Sequence, residues 1–376
     1  MKCSLQRMAS IGAMTVLAAA MIYAPRSAPV SADQATPPVI ESAITATASL
    51  HNPAFDNGDW YEFNGRYGHY LAGCWVPDDD NNLGNNIPEG ARQDWRLWFQ
   101  NGTDIVEVDP EQIYRHSGSE AVQIRPYGTG NQVAGLYQII YNTTPCLTYR
   151  FQMYAQSRPE GGDDYLTALQ VGINPGGWYP TLPDFPAVKN FGNTIWGTFS
   201  SAYKWYYGLL SVTAEVTNTR ATVWTYGDAK GGRSHRILWD TGSFQEVTPG
   251  LIPDPNNPPS ATIGSVTVIT SATSATVTWS TTAAALGQVY YHQVSCPSSP
   301  VSPTISMSHT IYLPLVSRSV GWSTTALNKM LLTSHSETIS GLQAGCTYEY
   351  IVASRGLSGG QCVTWVSDKR TFMTAP

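Results

Sequence analysis

Apolar and polar residues alternate with a period of two in segment after segment of this chain, and that rhythm constrains its fold more than any other feature. In Leu147-Thr-Tyr-Arg-Phe-Gln-Met-Tyr154, Leu147, Tyr149, Phe151 and Met153 point one way, while Arg150, Gln152 and Tyr154 point the other. Leu210, Val212, Ala214 and Val216 alternate with Ser211, Thr213, Glu215 and Thr217, and Leu169, Val171 and Ile173 alternate with Gln170, Gly172 and Asn174. Successive side chains of a strand face opposite sides of its sheet, so each segment predicts a strand with one face on a core and one face out. Repeated between Gly, Asn and Pro turns, the pattern predicts an all-β chain built of stacked antiparallel sheets.

Three stretches interrupt the rhythm. Lys2 and Arg7 precede an apolar run from Ile11 to Ile22, and Val30 and Ala32 occupy the small-residue positions of a cleavage site. This is the layout of a secretory signal peptide over residues 1–32, cut before Asp33. An uncleaved anchor is the alternative, although the run is well short of the roughly 20 residues that span a bilayer. Residues 33–48, rich in Ala, Thr, Ser and Pro, read as a flexible leader. Thr248-Pro-Gly-Leu-Ile-Pro-Asp-Pro-Asn-Asn-Pro-Pro-Ser260 carries too much proline to continue a sheet and reads as a semi-stiff linker. The expected organisation is a larger β domain over 49–247, the linker over 248–260 and a smaller β domain over 261–376. The expected product is secreted or held at the cell surface, with no membrane span.

Aromatic residues are concentrated in the larger domain: nine of the 12 tryptophans, 15 of the 21 tyrosines and eight of the nine phenylalanines lie between Ser49 and Val247. Charged residues make up only 13 % of the chain, against roughly a quarter in an ordinary soluble domain. One core buries only part of so much ring surface, so some rings are expected to face solvent. A rigid, weakly charged surface of rings suits an uncharged, hydroxylated, ring-shaped ligand, which describes a sugar. The formal net charge of −6 and the lack of any Lys/Arg run argue against a nucleic-acid partner. The acidic run Asp78, Asp79 and Asp80 reads as a solvated loop, with a bound cation as the alternative.

Export makes the cysteines candidates for disulfides. Cys74 and Cys146 are the two in the larger domain and are expected to pair. If Gln288–Val294 and Thr347–Ala353 are antiparallel neighbours, Cys296 approaches Cys346, and Cys362 is left as the odd thiol. None of the spacings is a zinc signature.

Several segments of the larger domain resemble, in order, the strands of jelly-roll carbohydrate-binding modules. They are His51-Asn-Pro-Ala-Phe-Asp-Asn-Gly58, His116-Ser-Gly-Ser-Glu-Ala-Val-Gln-Ile124, Ala134-Gly-Leu-Tyr-Gln-Ile139 and Cys146-Leu-Thr-Tyr-Arg-Phe151. The resemblance implies a jelly-roll β-sandwich and binding of a polysaccharide or oligosaccharide. It also implies a structural calcium tying the first strand to the last, at the matching positions Asp56 and Asp240, with Asp56 standing where Glu is usual. The smaller domain is similar to a fibronectin type III domain, an immunoglobulin-like β-sandwich. Trp279 in Ala275-Thr-Val-Thr-Trp279, Leu342 in Glu337-Thr-Ile-Ser-Gly-Leu342 and Tyr348 in Thr347-Tyr-Glu-Tyr-Ile-Val352 match that pattern, which Cys296 to Met330 interrupts. Such modules act as spacers or as contacts for another extracellular protein.

Sugar contact asks for flat rings against the apolar faces of a pyranose, with amides or carboxylates for its hydroxyls. Trp178 and Tyr179 follow the turn Asn174-Pro-Gly-Gly177, Trp196 follows Gly192-Asn-Thr, and Trp205 and Tyr206 open the strand ending in Val216. Trp224 occupies the face opposite Val223. These six rings, with Gln152 and Gln170 as hydroxyl partners, form the expected binding set. Trp60, Trp75, Trp95, Trp98 and Trp239 are assigned to packing.

Catalysis finds little support in the chain. Glu107 and Asp109 have the i, i+2 spacing that brings two carboxylates to one face of a strand, as glycoside hydrolysis requires. Pro110 is expected to end that strand at once. No nucleophile elbow, zinc-protease motif or phosphate loop is present. The expected function is non-catalytic carbohydrate binding. A structural or adhesive surface protein whose rings are all core is the alternative, and a glycan-cleaving jelly roll comes third.

Overall fold

A computed structural model of the protein describes residues 48–50, 68–71, 74–77, 95–99, 105–111, 113–118, 121–127, 132–159, 167–179, 190–201, 203, 205–229, 235–247, 250–252, 254–260, 262–297 and 321–376. Among the described residues the protein is all-β, with no helix and so none long and apolar enough to cross a membrane. Twelve strands build the first part: β1 (Gly68–Leu71), β2 (Cys74–Pro77), β3 (Arg96–Phe99), β4 (Ile105–Glu111), β5 (Ala121–Tyr127), β6 (Gln132–Tyr141), β7 (Thr148–Pro159), β8 (Thr167–Asn174), β9 (Ile195–Trp196), β10 (Gly208–Glu215), β11 (Arg220–Ala229) and β12 (His235–Glu246). They form a seven-stranded sheet, β10-β7-β12-β5-β4-β1-β2, and a five-stranded sheet, β3-β6-β11-β8-β9, paired antiparallel throughout.

The alternation read in the sequence becomes the packing of these two sheets. Phe151, Met153 and Ala155 of β7, with Leu210, Val212 and Ala214 of β10, turn inward from the seven-stranded sheet. Leu136, Val223, Leu169, Val171 and Ile173 meet them from the five-stranded sheet, so one contiguous core lies between the layers. In β10 every second residue is buried, and Leu209, Ser211 and Thr213 between them are exposed. The buried side chains explain why the pairing cannot slip: a shift by one residue would carry the whole apolar set to the outside.

The rest of the chain forms a third sheet from β13 (Val266–Thr270), β14 (Ser274–Ser295), β15 (Ser323–Thr324), β16 (Asn328–Ser340), β17 (Thr347–Ser358), β18 (Gln361–Val366) and β19 (Arg370–Met373). The long β14 bends where its register with β16 shifts between Ser280 and Ala285. Before the shift it pairs with β13 and β16, and after it with β17, with β15 and, at Ala285 and Gly287, still with β16. The sheet thereby folds over a core of its own, in which Val277, Trp279 and Ile339 meet Val289, Tyr350 and Val352.

Residues Thr47–Pro376 form a single compact unit. Ile351 and Ala353 of β17, with Leu286 and Tyr290 of β14, point away from the third sheet's core and join the cluster that begins between the first two sheets. Leu251 and Ile252 of the proline-rich segment are buried in that same cluster. The Leu251 N–H donates to Gln288 Oε1 at 3.1 Å and the Ile252 N–H to the Tyr290 hydroxyl at 2.7 Å. Two ion pairs cross nearby, Arg355–Glu215 at 2.6 Å and Lys329–Glu246 at 2.7 Å. The segment expected to be a semi-stiff spacer is thus anchored at Leu251 and Ile252.

The disulfides correct one expectation. Cys296 is joined to Cys346, but Cys146 is joined to Cys362, with Cα atoms 5.4 Å apart. The expected Cys74–Cys146 bond is thus not formed, and Cys362 is not an odd thiol; the side chain of Cys74 lies outside the described residues. The physical reason is the docking of the third sheet. The β17–β18 hairpin brings Cys362 to the turn before β7, where its sulfur lies 3.8 Å from the Val216 carbonyl oxygen.

Candidate ligand-binding face

The outer face of the five-stranded sheet carries a second cluster of rings, separate from the core beneath it. Trp98, Tyr137 and Trp224 are buried there, with Tyr179, Phe191, Trp196 and Tyr226 packed against them. Strand register explains the arrangement. Tyr137 pairs with Trp224, Trp224 with Gly172, and Gly172 with Trp196, so one row crosses four strands. Parity puts that row opposite Leu136, Val223 and Ile173, which face the core.

Two glycines let the indoles lie flat on the strands. A Cβ at Gly172 would stand 2.7 Å from a ring carbon of Trp196, and one at Gly135 would stand 2.8 Å from Trp98 Nε1 and 2.0 Å from the Thr225 carbonyl oxygen. The absent side chain at Gly135 also lets Trp98 Nε1–H reach that carbonyl, at 2.9 Å.

Trp178 tops the cluster. Its ring stacks on Trp224 at 5.8 Å and 21°, and Trp224 in turn stacks on Tyr137 at 4.9 Å and 25°. Trp178 is 40 % exposed whereas Trp224 is 0 % exposed. Phe199, 54 % exposed, stands edge-on to Tyr226 at 5.7 Å. The exposed Trp178 thus rests on a dry ring and Phe199 on a half-buried one, and neither support can turn away without opening the cluster.

One buried amide holds the rim. Asn174 Oδ1 accepts the N–H groups of Gly176 at 3.1 Å and Trp178 at 3.0 Å. Its Nδ2 donates to the Phe191 carbonyl at 3.1 Å and to Thr194 Oγ1 at 3.2 Å. A single side chain therefore fixes both the turn that carries Trp178 and the turn that carries Phe191. The sequence showed Asn174 as a turn residue, and Asn two places before a glycine signals such an Asx turn. Its reach across to residues 191–194 is tertiary and left no local trace.

The expected binding set divides between opposite faces of the sandwich. Trp178, Tyr179 and Trp196 belong to the ring cluster just described, with Tyr179 and Trp196 partly buried. Trp224 is corrected from ligand contact to buried support. Gln170 is corrected as well: it is buried, and its Nε2 donates to the Gly197 carbonyl, closing a loop instead of facing a ligand. Gln152 lies on β7, and Trp205 and Tyr206 lie in the bend before β10, where the Trp205 N–H is bonded to β7, all by the seven-stranded sheet. They cannot share a ligand with Trp178. Trp95, Trp98 and Trp239 are fully buried, in keeping with a packing role, while the side chains of Trp60 and Trp75 lie outside the described residues.

Of the expected calcium pair, Asp56 lies outside the described residues. Asp240 is buried, and its Oδ2 accepts the N–H groups of His116 at 2.6 Å and Ser117 at 3.0 Å while its Oδ1 accepts the Thr241 hydroxyl at 3.0 Å. Three donors thus surround the carboxylate, two of them on Oδ2 and one on Oδ1. Among the described residues no three His, Cys, Asp or Glu side chains converge. The backbone of Glu107 and Asp109 lies in β4, and their side chains are outside the described set.

No protein family's profile matches the chain, and no curated protein matches it. Among solved structures it is similar to TmCBM61 in complex with β-1,4-galactotriose, at 12 % identity over 44 % of this chain and 99 % of that one, with a TM-score of 0.28. It is also similar to the CBM22-1 xylan-binding domain of Paenibacillus barcinonensis Xyn10C, at 12 % identity over 41 % of this chain and 87 % of that one, with a TM-score of 0.28. The glycoside hydrolase domain of Endo-D from Streptococcus pneumoniae R6 matches at 11 % identity over 75 % of this chain and 37 % of that one, with a TM-score of 0.26. Likeness at this level decides nothing about function, which has to be read from the rings themselves.

Proposed function

We propose that the outer face of the five-stranded sheet binds an uncharged polysaccharide or oligosaccharide without a chemical step. The observation that carries this reading is the stack of an exposed Trp178 on buried Trp224 and Tyr137. A pyranose presents its axial C–H groups to such a ring, and each ring contact adds about 0.5–1.5 kcal/mol beyond the area it buries. The backing stack and the Asn174 hydrogen bonds hold the ring in its binding pose beforehand, so little ordering entropy is lost on association. Trp178→Ala is expected to weaken binding of neutral glycans by about tenfold, read by calorimetry and by quenching of tryptophan fluorescence across a glycan panel. A panel on which the native protein stays silent would leave the structural or adhesive reading instead. Release of reducing ends that disappears in Glu107→Gln would make the protein a glycan-cleaving enzyme.

The chain is further proposed to be exported, with a fibronectin type III-like C-terminal sandwich. The bend of β14 between β13 and β16 on one side and β17 on the other supports that comparison. Its role is proposed to be that of a spacer or a docking module for another extracellular protein, held to the sandwich by the proline-rich segment and both ion pairs. A calcium between Asp56 and Asp240 would have to share Asp240 Oδ1, the oxygen with one hydroxyl donor. A fall in melting temperature on chelation is the result that would establish it.

A further inference from the structure

We infer that the opposite face of the sandwich holds a second binding site, selective for an acidic saccharide whose ring bears a carboxylate. The inference does not depend on the neutral-glycan site. Its centre is Arg158 on β7, whose guanidinium carbon lies 3.4 Å from the centroid of the Tyr114 ring and 4.9 Å from that of Trp205. Among the described residues no carboxylate pairs with it. A guanidinium held at cation–π distance of two rings still offers its N–H groups as the fork that takes a carboxylate in two parallel hydrogen bonds.

The surroundings of Arg158 are held in place. Trp205 is 53 % exposed and adopts a φ of 65°, a conformation in which a bulky non-glycine residue is an outlier. It is held there by the β7 backbone: the Trp205 N–H donates to the Ser157 carbonyl at 3.0 Å, and the Ser157 N–H donates to the Tyr203 carbonyl at 2.8 Å. On the other side, the Tyr207 hydroxyl donates to the Tyr114 carbonyl at 2.7 Å, and Asp240 grips the next turn through the His116 and Ser117 N–H groups. Strain of this kind persists only where its neighbours over-determine it, and it gathers at ligand clamps. The strained residue here is an exposed indole next to a ring-clasped cation.

Charge then selects the ligand. The chain as a whole carries a formal net charge of −6, so a cation beside an exposed indole and a half-buried phenol stands out against its background. Arg236, the register partner of Arg158 on β12, puts a second arginine on the same face. An indole for the sugar ring and a guanidinium fork for the carboxylate together describe a uronate. Phosphate would satisfy the fork but leave the indole unused, and a neutral sugar would do the reverse.

Calorimetry on the whole chain with oligogalacturonate, its methyl ester and neutral galacto-oligosaccharide tests the assignment. The free acid is expected to bind, more weakly as salt rises, and the ester, which keeps the ring and removes the charge, is expected not to. Arg158→Gln and Trp205→Ala should each lower affinity for the acid by about tenfold, with unchanged melting temperatures. Trp178→Ala, on the other face, should leave it unchanged. Arg158→Lys, which keeps the charge and loses the fork, should recover only part of the affinity. Failure of the acid to bind, equal binding of the ester, loss through Trp178→Ala instead, or equal binding of polyglutamate would each overturn the site.

Discussion

Burial holds the Asp240 carboxyl above the ordinary carboxylate range, and the N–H groups of Ser117 and His116 and the Thr241 hydroxyl offset it only in part. A raised folded-state value means that its contribution to stability is complete below the ordinary range and is lost as pH rises through the raised value. Asp240→Asn does not ionise, so its stability relative to the native protein should improve as pH climbs from about 4, measured by thermal melts at several pH values. Asp240→Ala should behave differently, leaving two backbone donors without an acceptor at about 1–3 kcal/mol each, toward the lower end because the loop is part-exposed. A variant pair that melted alike at every pH would show that the carboxylate does not hold the turn. Single residues were also where the sequence was least legible. Trp178 and Trp224 both read as outward rings, and only the ring lying above Trp224 makes it support instead of surface.

The strands were more legible than their residues. The alternations of β7 and β10 predicted inward and outward faces correctly, because strand geometry ties facing directly to parity, while in β8 the outward residues are covered by the ring cluster and are buried as well. The rule weakens in β17, where Tyr350 and Val352 face one core and Ile351 and Ala353 another, so both parities are buried. On the five-stranded sheet, flat indoles demand the two glycines. Gly172→Ala meets the movable side chains of Trp196 and Thr194, and should cost about 1–3 kcal/mol by overpacking. Gly135→Ala meets the backbone oxygen of Thr225 and should cost more, since backbone cannot rotate aside. Urea unfolding of both variants checks the order, and a reversed ranking would mean that the strands relax more easily than the rings.

Across the whole molecule, the Cys146–Cys362 bond joins positions 216 residues apart and ties the third sheet to the sandwich before it. Its removal in Cys362→Ser should cost about 2–4 kcal/mol and speed amide exchange at Leu251 and Ile252, whose N–H groups are buried at the junction. Unchanged protection there would mean that the packed cluster and the Arg355–Glu215 pair suffice without the bond. The expected Cys74–Cys146 pairing failed at this scale because it assumed that cysteines pair within their own sequence neighbourhood. By itself, the order of residues determined that the chain is all-β, which face of β7 and β10 turns inward, and that more rings exist than one core can hold, since these follow from parity and composition alone. Only the tertiary structure decided which rings stay wet, that they divide between two opposite faces, and which cysteines meet, because each depends on what a distant segment lays over a given spot.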